Sequence, residues 1–214
     1  MTLGLTSHGA GQARGNGALV LTPTEPSTDD GSRSSPSETV GPRRCLEWHH
    51  AQMTTGAATP ALAAVQRAGV GHRVHRYVHD PSRSGYGDEA VDALGVDPAR
   101  VCKTLIVAAD ALLAVAVVPV AAQLDLKRFA GCVDAKRAVL APARDAERAT
   151  GYVLGAISPI GQKRSLPTVV DHSVAALDSV FVSGGRRGLE IELAMEDLVR
   201  LTGARIAPIA RGAG

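Results

Sequence analysis

Lys103 is the residue whose surroundings most clearly require a chemical explanation. It lies within the apolar, β-branched segment 101–107, which the sequence predicts to be a buried strand. Only 4 lysines but 15 arginines follow residue 58. Burying an ammonium group costs free energy unless it meets an anion, hydrogen-bond acceptors or the opening of a pocket. Lys103 is therefore either a ligand-binding residue or a strand-edge lysine whose charged end reaches solvent.

Two glycine-rich segments could present backbone N–H groups to a ligand. Segment 151–164 carries three glycines and follows a predicted helix. Successive N–H groups in such a loop can bind a carbonyl oxygen or a phosphate, although the glycine spacing matches neither a P-loop nor a dinucleotide-binding motif. Segment 183–188 contains Arg186 and Arg187, which could hold a phosphate. A β-turn with solvated arginines is the alternative interpretation of this second segment.

The sequence predicts no metal site and no ordinary protein nucleophile. His75 and His79 are four residues apart in a predicted strand that begins at His72. That spacing separates them by about 13 Å, too far for one ion. Cys102 precedes Lys103, and strand alternation turns it to the opposite face, toward the core. Because no Ser/His/Asp or G-x-S-x-G arrangement is present, a hydrolase built on this chain would lack a nucleophile of its own.

The composition predicts a cytoplasmic protein with an aliphatic core. The chain has 214 residues, a net charge of +2 and 3% aromatic residues. Its three cysteines lie far apart and form no C-x-x-C pair, which argues against a disulfide framework or a zinc ribbon and indicates a reducing compartment. The apolar run 101–118 is interrupted by Asp110 and followed by Pro119, so no membrane span is expected.

The chain divides into a tail and one domain. Residues 1–58 are rich in Gly, Ser, Thr and Pro, lack apolar periodicity and are predicted to be a disordered, low-complexity tail. Met53 is an alternative translation start. Residues 59–212 carry helix caps and alternating apolar patterns, which predict a single folded domain.

Helices and strands alternate irregularly in this domain. The predicted helices span 59–69, 88–94, 125–129, 142–151 and 195–202, and the predicted strands span 72–79, 101–109, 112–118, 168–170, 180–182 and 188–193, with an extended segment at 204–209. The order has neither a regular βαβ rhythm nor an internal repeat. We therefore predict an α+β fold, a single domain with a mixed, barrel-like β-sheet surrounded by helices.

Two strands have informative side-chain alternation. In the strand 72–79, Val74 and Val78 are expected to share one face. In the strand 188–193, leucine and isoleucine face the core, whereas Glu190 and Glu192 lie on the opposite face.

Six segments, taken in order, resemble the YbaK/EbsC family, specifically its Cys-tRNA(Pro) deacylase branch. They are Tyr-Val-His-Asp-Pro at 77–81, Tyr-Gly-Asp-Glu at 86–89, Val-Cys-Lys-Thr-Leu at 101–105, Gln-Leu-Asp-Leu-Lys at 123–127, Gly-Ala-Ile-Ser-Pro-Ile-Gly-Gln-Lys at 155–163 and Ser-Gly-Gly-Arg-Arg-Gly-Leu at 183–189. The resemblance covers about residues 59–212 and leaves the tail outside. It implies the fold of the YbaK-type, synthetase-associated editing domain.

The resemblance also implies a set of site residues. The family's catalytic positions match Lys103 and Gly155, and its substrate-binding positions match Tyr77, Tyr86, Thr104, Ser158, Ser183 and Glu190. The position of Tyr86 is usually phenylalanine in the family, which keeps an aromatic wall. The position of Glu190 is usually aspartate, so this chain carries one additional methylene there. The resemblance implies no metal and no organic cofactor.

The activity that the resemblance implies is trans-editing of Cys-tRNA(Pro). An apolar pocket cannot reject a side chain close to proline in size, so prolyl-tRNA synthetase mischarges cysteine and a separate domain removes it. The substrate's own thiol would attack its ester carbonyl and give a thiolactone. Lys103 would bind the terminal adenosine or its phosphate and orient the ester, and N–H groups near Gly155 would stabilise the oxyanion. The expected partners are the acceptor end of the mischarged tRNA and prolyl-tRNA synthetase.

Two alternatives to this activity remain. A deacylase of the same fold could act on another mischarged tRNA, such as Ala-tRNA(Pro). A protein of a different class, a non-catalytic module that binds tRNA or a synthetase, could keep the same fold.

Overall fold

Helices and strands alternate through the domain as the sequence predicts. A computed structural model describes residues 58–83 and 85–212 of the chain. Apart from residue 58, the predicted tail and the alternative start Met53 lie outside the described residues. Within the described residues, no helix is long and apolar enough to cross a membrane.

The described residues form five helices and ten strands. The helices are α1 Pro60–Arg67, α2 Tyr86–Leu94, α3 Leu126–Cys132, α4 Ala143–Thr150 and α5 Met195–Thr202. The strands are β1 His72–Arg76, β2 Cys102–Ala109, β3 Leu112–Pro119, β4 Gln123–Leu124, β5 Ala138–Leu140, β6 Thr168–Asp171, β7 Ser179–Arg186, β8 Leu189–Ala194, β9 Arg205–Ala207 and β10 Ala210–Arg211. A short 3-10 helix, His172–Val174, follows β6.

The strands form a mixed, partly closed sheet system. Five strands pair in the order β5-β2-β3-β6-β9, three antiparallel strands pair in the order β1-β8-β7, and β10 pairs with β4. The pairs β3–β6 and β6–β9 are parallel. Strand β5 pairs only with the C-terminal half of β2, and a bridge between Val101 and Phe181 joins β7 to the start of β2. The predicted α+β fold with a mixed, barrel-like sheet is confirmed.

The core lies between the five-stranded and three-stranded sheets. Val115 and Val117 of β3 are fully buried in the same cluster as Ile191 and Leu193 of β8. The other face of the five-stranded sheet packs against Phe129 of α3. Aliphatic side chains therefore fill the interior, as the low aromatic content requires.

Several helices begin or end at the capping residues that the sequence predicts. Thr59 caps α1 by accepting a hydrogen bond from the Leu62 N–H, and Asp125 caps α3 in the same way. Helix α5 ends at Gly203, whose φ of +60° suits glycine. Short polar caps and left-handed glycines act within one helical turn, which is why the sequence reveals them.

The structure corrects three details near the start of the domain. The strand predicted over 72–79 ends at Arg76, because the Tyr77 N–H bonds to the Gly188 carbonyl and the chain then leaves the sheet. Val78 is 94% exposed and does not share a buried face with Val74. Helix α2 begins at Tyr86, two residues before the prediction.

The face that carries Glu190 and Glu192 is buried beneath α2. These side chains are only 8% and 6% exposed. Ala90 of α2 packs with Val101 and Phe181 over this face. The alternation of side chains along β8 was predicted correctly. The burial of the two carboxyl groups was not predicted, because the helix that covers them is distant in sequence.

Glu89 attaches α2 to the segment that follows β1. Its side chain is 3% exposed. One carboxylate oxygen accepts a hydrogen bond from the Asp80 N–H at 2.6 Å, and the other lies 2.8 Å from His79 Nδ1. Burial alone would raise the pKa of Glu89, but the hydrogen bonds from Asp80 and His79 outweigh it and hold the pKa below its usual value.

Glu89→Gln is expected to lower the free energy of unfolding by about 1–3 kcal/mol, because a buried charged acceptor is lost. Asp92→Asn is the matched control, since it removes an exposed ion pair with Arg83 from the same helix and should have a much smaller effect. Urea unfolding at pH 7 measures both variants. Equal losses in the two variants would contradict the assigned attachment.

The effect of Glu89→Gln should also depend on pH. Because the folded-state pKa of Glu89 is lowered, its stabilising contribution is present above its unfolded-state pKa of about 4.3 and is lost as the pH falls through the folded-state value. The stability difference between the wild type and the variant should therefore shrink as unfolding is measured from pH 7 down to about pH 3.

Candidate active site

A cavity of about 300 Å³ lies where α2, the start of β2 and the glycine loop meet. It contains six of the residues predicted for the site, which are Tyr86, Lys103, Thr104, Gly155, Ser183 and Glu190. The other lining residues are Gly85, Gly87, Asp88, Val101, Cys102, Leu105, Val120, Leu154 and Ile157. Most of this wall is apolar, so the few polar groups in it determine what can bind.

Lys103 forms a half-buried cationic wall of the cavity. Alternation along β2 points it away from the core face that carries Cys102 and Ile106. Its Nζ donates a hydrogen bond to the Val120 carbonyl at 3.3 Å. Burial lowers the pKa of Lys103, and the Asp88 carboxylate opposes that shift. An ammonium group has three donors, so Lys103 retains donors for a ligand.

Glu190 and Glu192 lie two residues apart on the same face of β8 but differ in their environments. Glu192 is close to Arg100 Nη2 at 2.8 Å and His75 Nε2 at 3.0 Å, and it accepts a hydrogen bond from Ser179 Oγ at 3.1 Å. Burial would raise the pKa of Glu192, but these hydrogen bonds lower it overall. The Glu192 carboxylate is therefore fully satisfied by hydrogen bonds from neighbouring side chains.

The Glu190 carboxyl lines the cavity without a hydrogen bond or ion pair from any described residue. Burial raises its pKa to about 8. Burial therefore makes this group easier to protonate than an exposed glutamate. A cationic ligand group next to it would favour the carboxylate and gain a strong, charge-assisted hydrogen bond.

Gly155 and Tyr86 are in direct contact. Gly155 has a φ of +82°, and a Cβ built on it would overlap the Tyr86 ring. Any larger residue would therefore be strained and would also push the aromatic wall away. The Gly155 N–H forms no hydrogen bond within the described part of the chain. The contact places a free backbone donor beside the aromatic wall.

Thr104 and Ser183 both line the cavity. The Thr104 Oγ1 atom is buried and has no hydrogen-bond partner among the described residues. Such atoms are rare in folded proteins, and this one does not lie on the cavity surface. Ser183 Oγ accepts a weak hydrogen bond from the Gly185 N–H at 3.3 Å.

Two predicted site residues do not line the cavity. Tyr77 packs against the buried cluster of Ala90, Val101 and Phe181, and burial, together with the nearby Glu190 and Glu89 charges, raises its pKa to about 12. Ser158 is completely buried, and its hydroxyl accepts a hydrogen bond from the Ile160 N–H at 3.2 Å. Ser158 therefore shapes the glycine loop in this structure, because its hydroxyl is already used there.

The thiol of Cys102 and the imidazoles of His75 and His79 are poorly suited to act as nucleophile or base. Cys102 lines the cavity but is buried, and burial raises its thiol pKa to about 12, which disfavours a nucleophilic thiolate. His75 and His79 pair with Glu192 and Glu89. Within residues 58–83 and 85–212, no group of three His, Cys, Asp or Glu side chains could hold a metal ion.

Sequence reasoning did not assign Asp88 to the site, and it named Arg187 only as one of two neighbouring arginines that could hold a phosphate. Asp88 lies in the first turn of α2, lines the cavity and interacts with Lys103. Arg187 lies at the rim, over the ring of Tyr86. Both residues belong to segments that carried the family resemblance, but no local signal indicates either contact, because the partners come from distant elements.

Comparisons with known proteins agree with this architecture. The family model described as the aminoacyl-tRNA editing domain matches residues 82–201. A protein of Enterococcus faecalis, the proposed Cys-tRNA(Pro)/Cys-tRNA(Cys) deacylase EbsC, is 31% identical over 160 residues, covering 74% of this chain and 97% of EbsC.

Solved structures share the fold. A proposed trans-editing enzyme for prolyl-tRNA synthetase superposes with a TM-score of 0.65 at 23% identity, covering 75% of this chain and 100% of that chain. A protein described as hypothetical superposes with a TM-score of 0.64 at 25% identity, covering 72% of this chain and 100% of that chain. With its family model, its relative and its fold in agreement, the chain belongs to the aminoacyl-tRNA editing domain family.

Proposed function

We propose that the protein is a trans-editing deacylase that removes cysteine from mischarged Cys-tRNA(Pro). The observation that carries this proposal is one apolar cavity holding an ammonium group, an unpaired buried carboxyl and a free glycine N–H. These groups match the charges of an aminoacyl ester. The name of the E. faecalis relative gives Cys-tRNA(Pro) and Cys-tRNA(Cys) as substrates of that protein, and the name of the proposed trans-editing enzyme links that protein to prolyl-tRNA synthetase.

Each polar group of the cavity has a complement in the substrate. Glu190 would bind the α-ammonium group of the amino acid, because a buried carboxyl without a partner gains most from a cation. Lys103 would orient the ester through the oxygens of the terminal ribose. The Gly155 N–H would stabilise the negative charge that develops on the carbonyl oxygen.

The described residues supply no nucleophile paired with a base. The Cys102 thiol has a pKa of about 12, and Ser183 is hydrogen-bonded only to a backbone N–H. We therefore assign the nucleophile to the substrate. Its thiol loses a proton and attacks the ester carbonyl, the C–O bond to the ribose breaks, and the ribose oxygen takes up a proton. A thiolactone and deacylated tRNA result, and the enzyme contributes positioning and electrostatic stabilisation.

A second candidate function follows from the raised pKa of Glu190. A carboxyl with a pKa of about 8 could act as a general base toward water near neutral pH. The protein would then hydrolyse esters without a thiol, such as Ala-tRNA(Pro). A non-catalytic binding module is disfavoured, because it would not need an unpaired carboxyl and an ammonium group in one cavity.

The proposed partners are the acceptor end of the mischarged tRNA and prolyl-tRNA synthetase. The cavity has room for an amino acid and part of a ribose but not for a tRNA arm. The remainder of the tRNA would therefore lie outside it. No metal or organic cofactor takes part in the proposed reaction.

Lys103→Met should lower the single-turnover rate of Cys-tRNA(Pro) deacylation by about 100-fold or more, because the ester loses an orienting charge while the apolar stem is kept. Lys127→Met is the control, since Lys127 is an exposed lysine of α3 outside the cavity. The assay compares Cys-tRNA(Pro) and Ala-tRNA(Pro) with each protein. Undiminished cleavage by Lys103→Met would refute the role of Lys103, and preferential cleavage of Ala-tRNA(Pro) would favour the second candidate.

Glu190→Gln should stabilise the protein while it impairs deacylation. The folded-state pKa of Glu190 is raised to about 8, so the wild type loses stability as the pH rises from the unfolded-state value of about 4.3 toward about 8. The melting temperature of Glu190→Gln should therefore exceed that of the wild type by several degrees at pH 8.5, and much less at pH 5.

Glu192→Gln is the matched control for Glu190→Gln. It removes a carboxylate that Arg100, His75 and Ser179 already satisfy, so it should lower the melting temperature at pH 8.5. If both variants were destabilised at pH 8.5, Glu190 would have a structural partner and the ammonium-binding assignment would fail.

A further inference from the structure

Arg187 lies at the rim of the cavity, in the turn between β7 and β8. Its guanidinium carbon is 4.9 Å from the centroid of the Tyr86 ring. Its Nη2 atom donates a hydrogen bond to the Leu154 carbonyl at 3.0 Å. Tyr86 and Leu154 both line the cavity, so Arg187 joins α2, the glycine loop and the β7–β8 turn around its mouth.

These contacts restrict the Arg187 side chain but do not neutralise its positive charge. Four other arginines, Arg83, Arg128, Arg148 and Arg200, form ion pairs with aspartates. Arg187 has no carboxylate within ion-pair distance among the described residues. It instead uses the face of an aromatic ring and one peptide carbonyl, neither of which cancels a positive charge.

The exposed donors of Arg187 remain available to a ligand. A guanidinium carries five N–H donors in a planar fork, and one of them is used here. Because stacking and the Leu154 hydrogen bond already restrict the side chain, binding an anion would cost less conformational entropy than it would at a freely rotating arginine. Two oxygens of a phosphate match the geometry of the fork.

We propose that Arg187 binds the 5′-phosphate of the terminal adenosine, just outside the cavity. This inference rests on the proposed function, in which the amino acid enters the cavity and the terminal ribose lies at its mouth. The phosphate is then the nearest anion of the substrate to the rim. Lys103 and Arg187 divide the binding: Lys103 orients the ester inside the cavity, and Arg187 holds the backbone outside it.

Two small substrates isolate this contact, the 3′-cysteinyl esters of adenosine and of adenosine 5′-monophosphate. They differ only in the phosphate. For the wild type, kcat/KM is corrected for the uncatalysed reaction. It should be at least about tenfold higher for the monophosphate ester than for the adenosine ester, because a charge-assisted hydrogen bond contributes about that factor. In Arg187→Gln the ratio of the two kcat/KM values should fall to about one, and in Arg187→Lys it should be intermediate.

Arg186→Gln is the matched control. Arg186, the last residue of β7, is also exposed, and in the described residues it has neither a ring contact with Tyr86 nor a hydrogen bond to Leu154. The Arg186→Gln substitution removes the same charge at the neighbouring position and should keep the wild-type ratio. An equal fall in the ratio for both variants would mean that general positive charge, rather than a phosphate site at Arg187, attracts the substrate.

The outcomes separate this inference from the proposed function. A wild-type ratio near one, with both esters cleaved, would overturn the phosphate site and leave the deacylase standing. If only Cys-tRNA(Pro) is cleaved, Arg187→Gln should lose about tenfold in kcat/KM on it while Arg186→Gln stays near wild type, and equal losses would overturn the site. Cleavage of no cysteinyl substrate would overturn the proposed function itself.

Discussion

The proposed chemistry of this site depends on the Glu190 carboxyl, which has no hydrogen bond or ion pair from any described residue. A buried polar group without a partner costs free energy. The position on β8 does not by itself leave a carboxyl without partners, as the neighbouring Glu192 shows. Two residues along β8, Glu192 lies on the same buried face and is satisfied by Arg100, His75 and Ser179. The contrast indicates a site in which binding, rather than folding, satisfies Glu190.

The elements around Glu190 are held in place by a small number of specific contacts. Helix α2 covers the acidic face of β8, and Glu89 ties this helix to the segment after β1 through Asp80 and His79. The glycine loop can approach the helix because Gly155 has no side chain to displace Tyr86. The walls of the cavity therefore come from several elements, and these contacts fix where α2 and the glycine loop lie relative to each other.

Local sequence signals predicted the elements of this fold well, and long-range packing accounts for what they missed. The caps at Thr59 and Asp125 act over a few residues, and the hairpin turn at Asp110 adopts the left-handed φ of +50° that aspartate tolerates. The exposure of Val78 depends instead on where the chain leaves the sheet.

The candidate site was also predictable only where local sequence signals indicate it. The apolar strand around Lys103 already suggested a binding function, and the family resemblance supplied Gly155 and Glu190. The electrostatic influence of Asp88 on Lys103 and the stacking of Arg187 on Tyr86 join elements that are distant in sequence. The Ser158 hydroxyl, which was expected to contact the substrate, instead accepts a hydrogen bond from the Ile160 N–H within the glycine loop.

The central claim, that the substrate thiol is the nucleophile, is tested most directly by comparing Cys-tRNA(Pro) and Ser-tRNA(Pro) in single turnover at saturating enzyme. The two esters differ by one atom and should compete for the cavity with similar affinity. A thiol with a pKa of about 8.5 is a few per cent thiolate at neutral pH, whereas a hydroxyl is not ionised. The account predicts that the cysteinyl ester is cleaved about 100-fold faster or more, whereas comparable rates on both esters would contradict it and assign the attack to water.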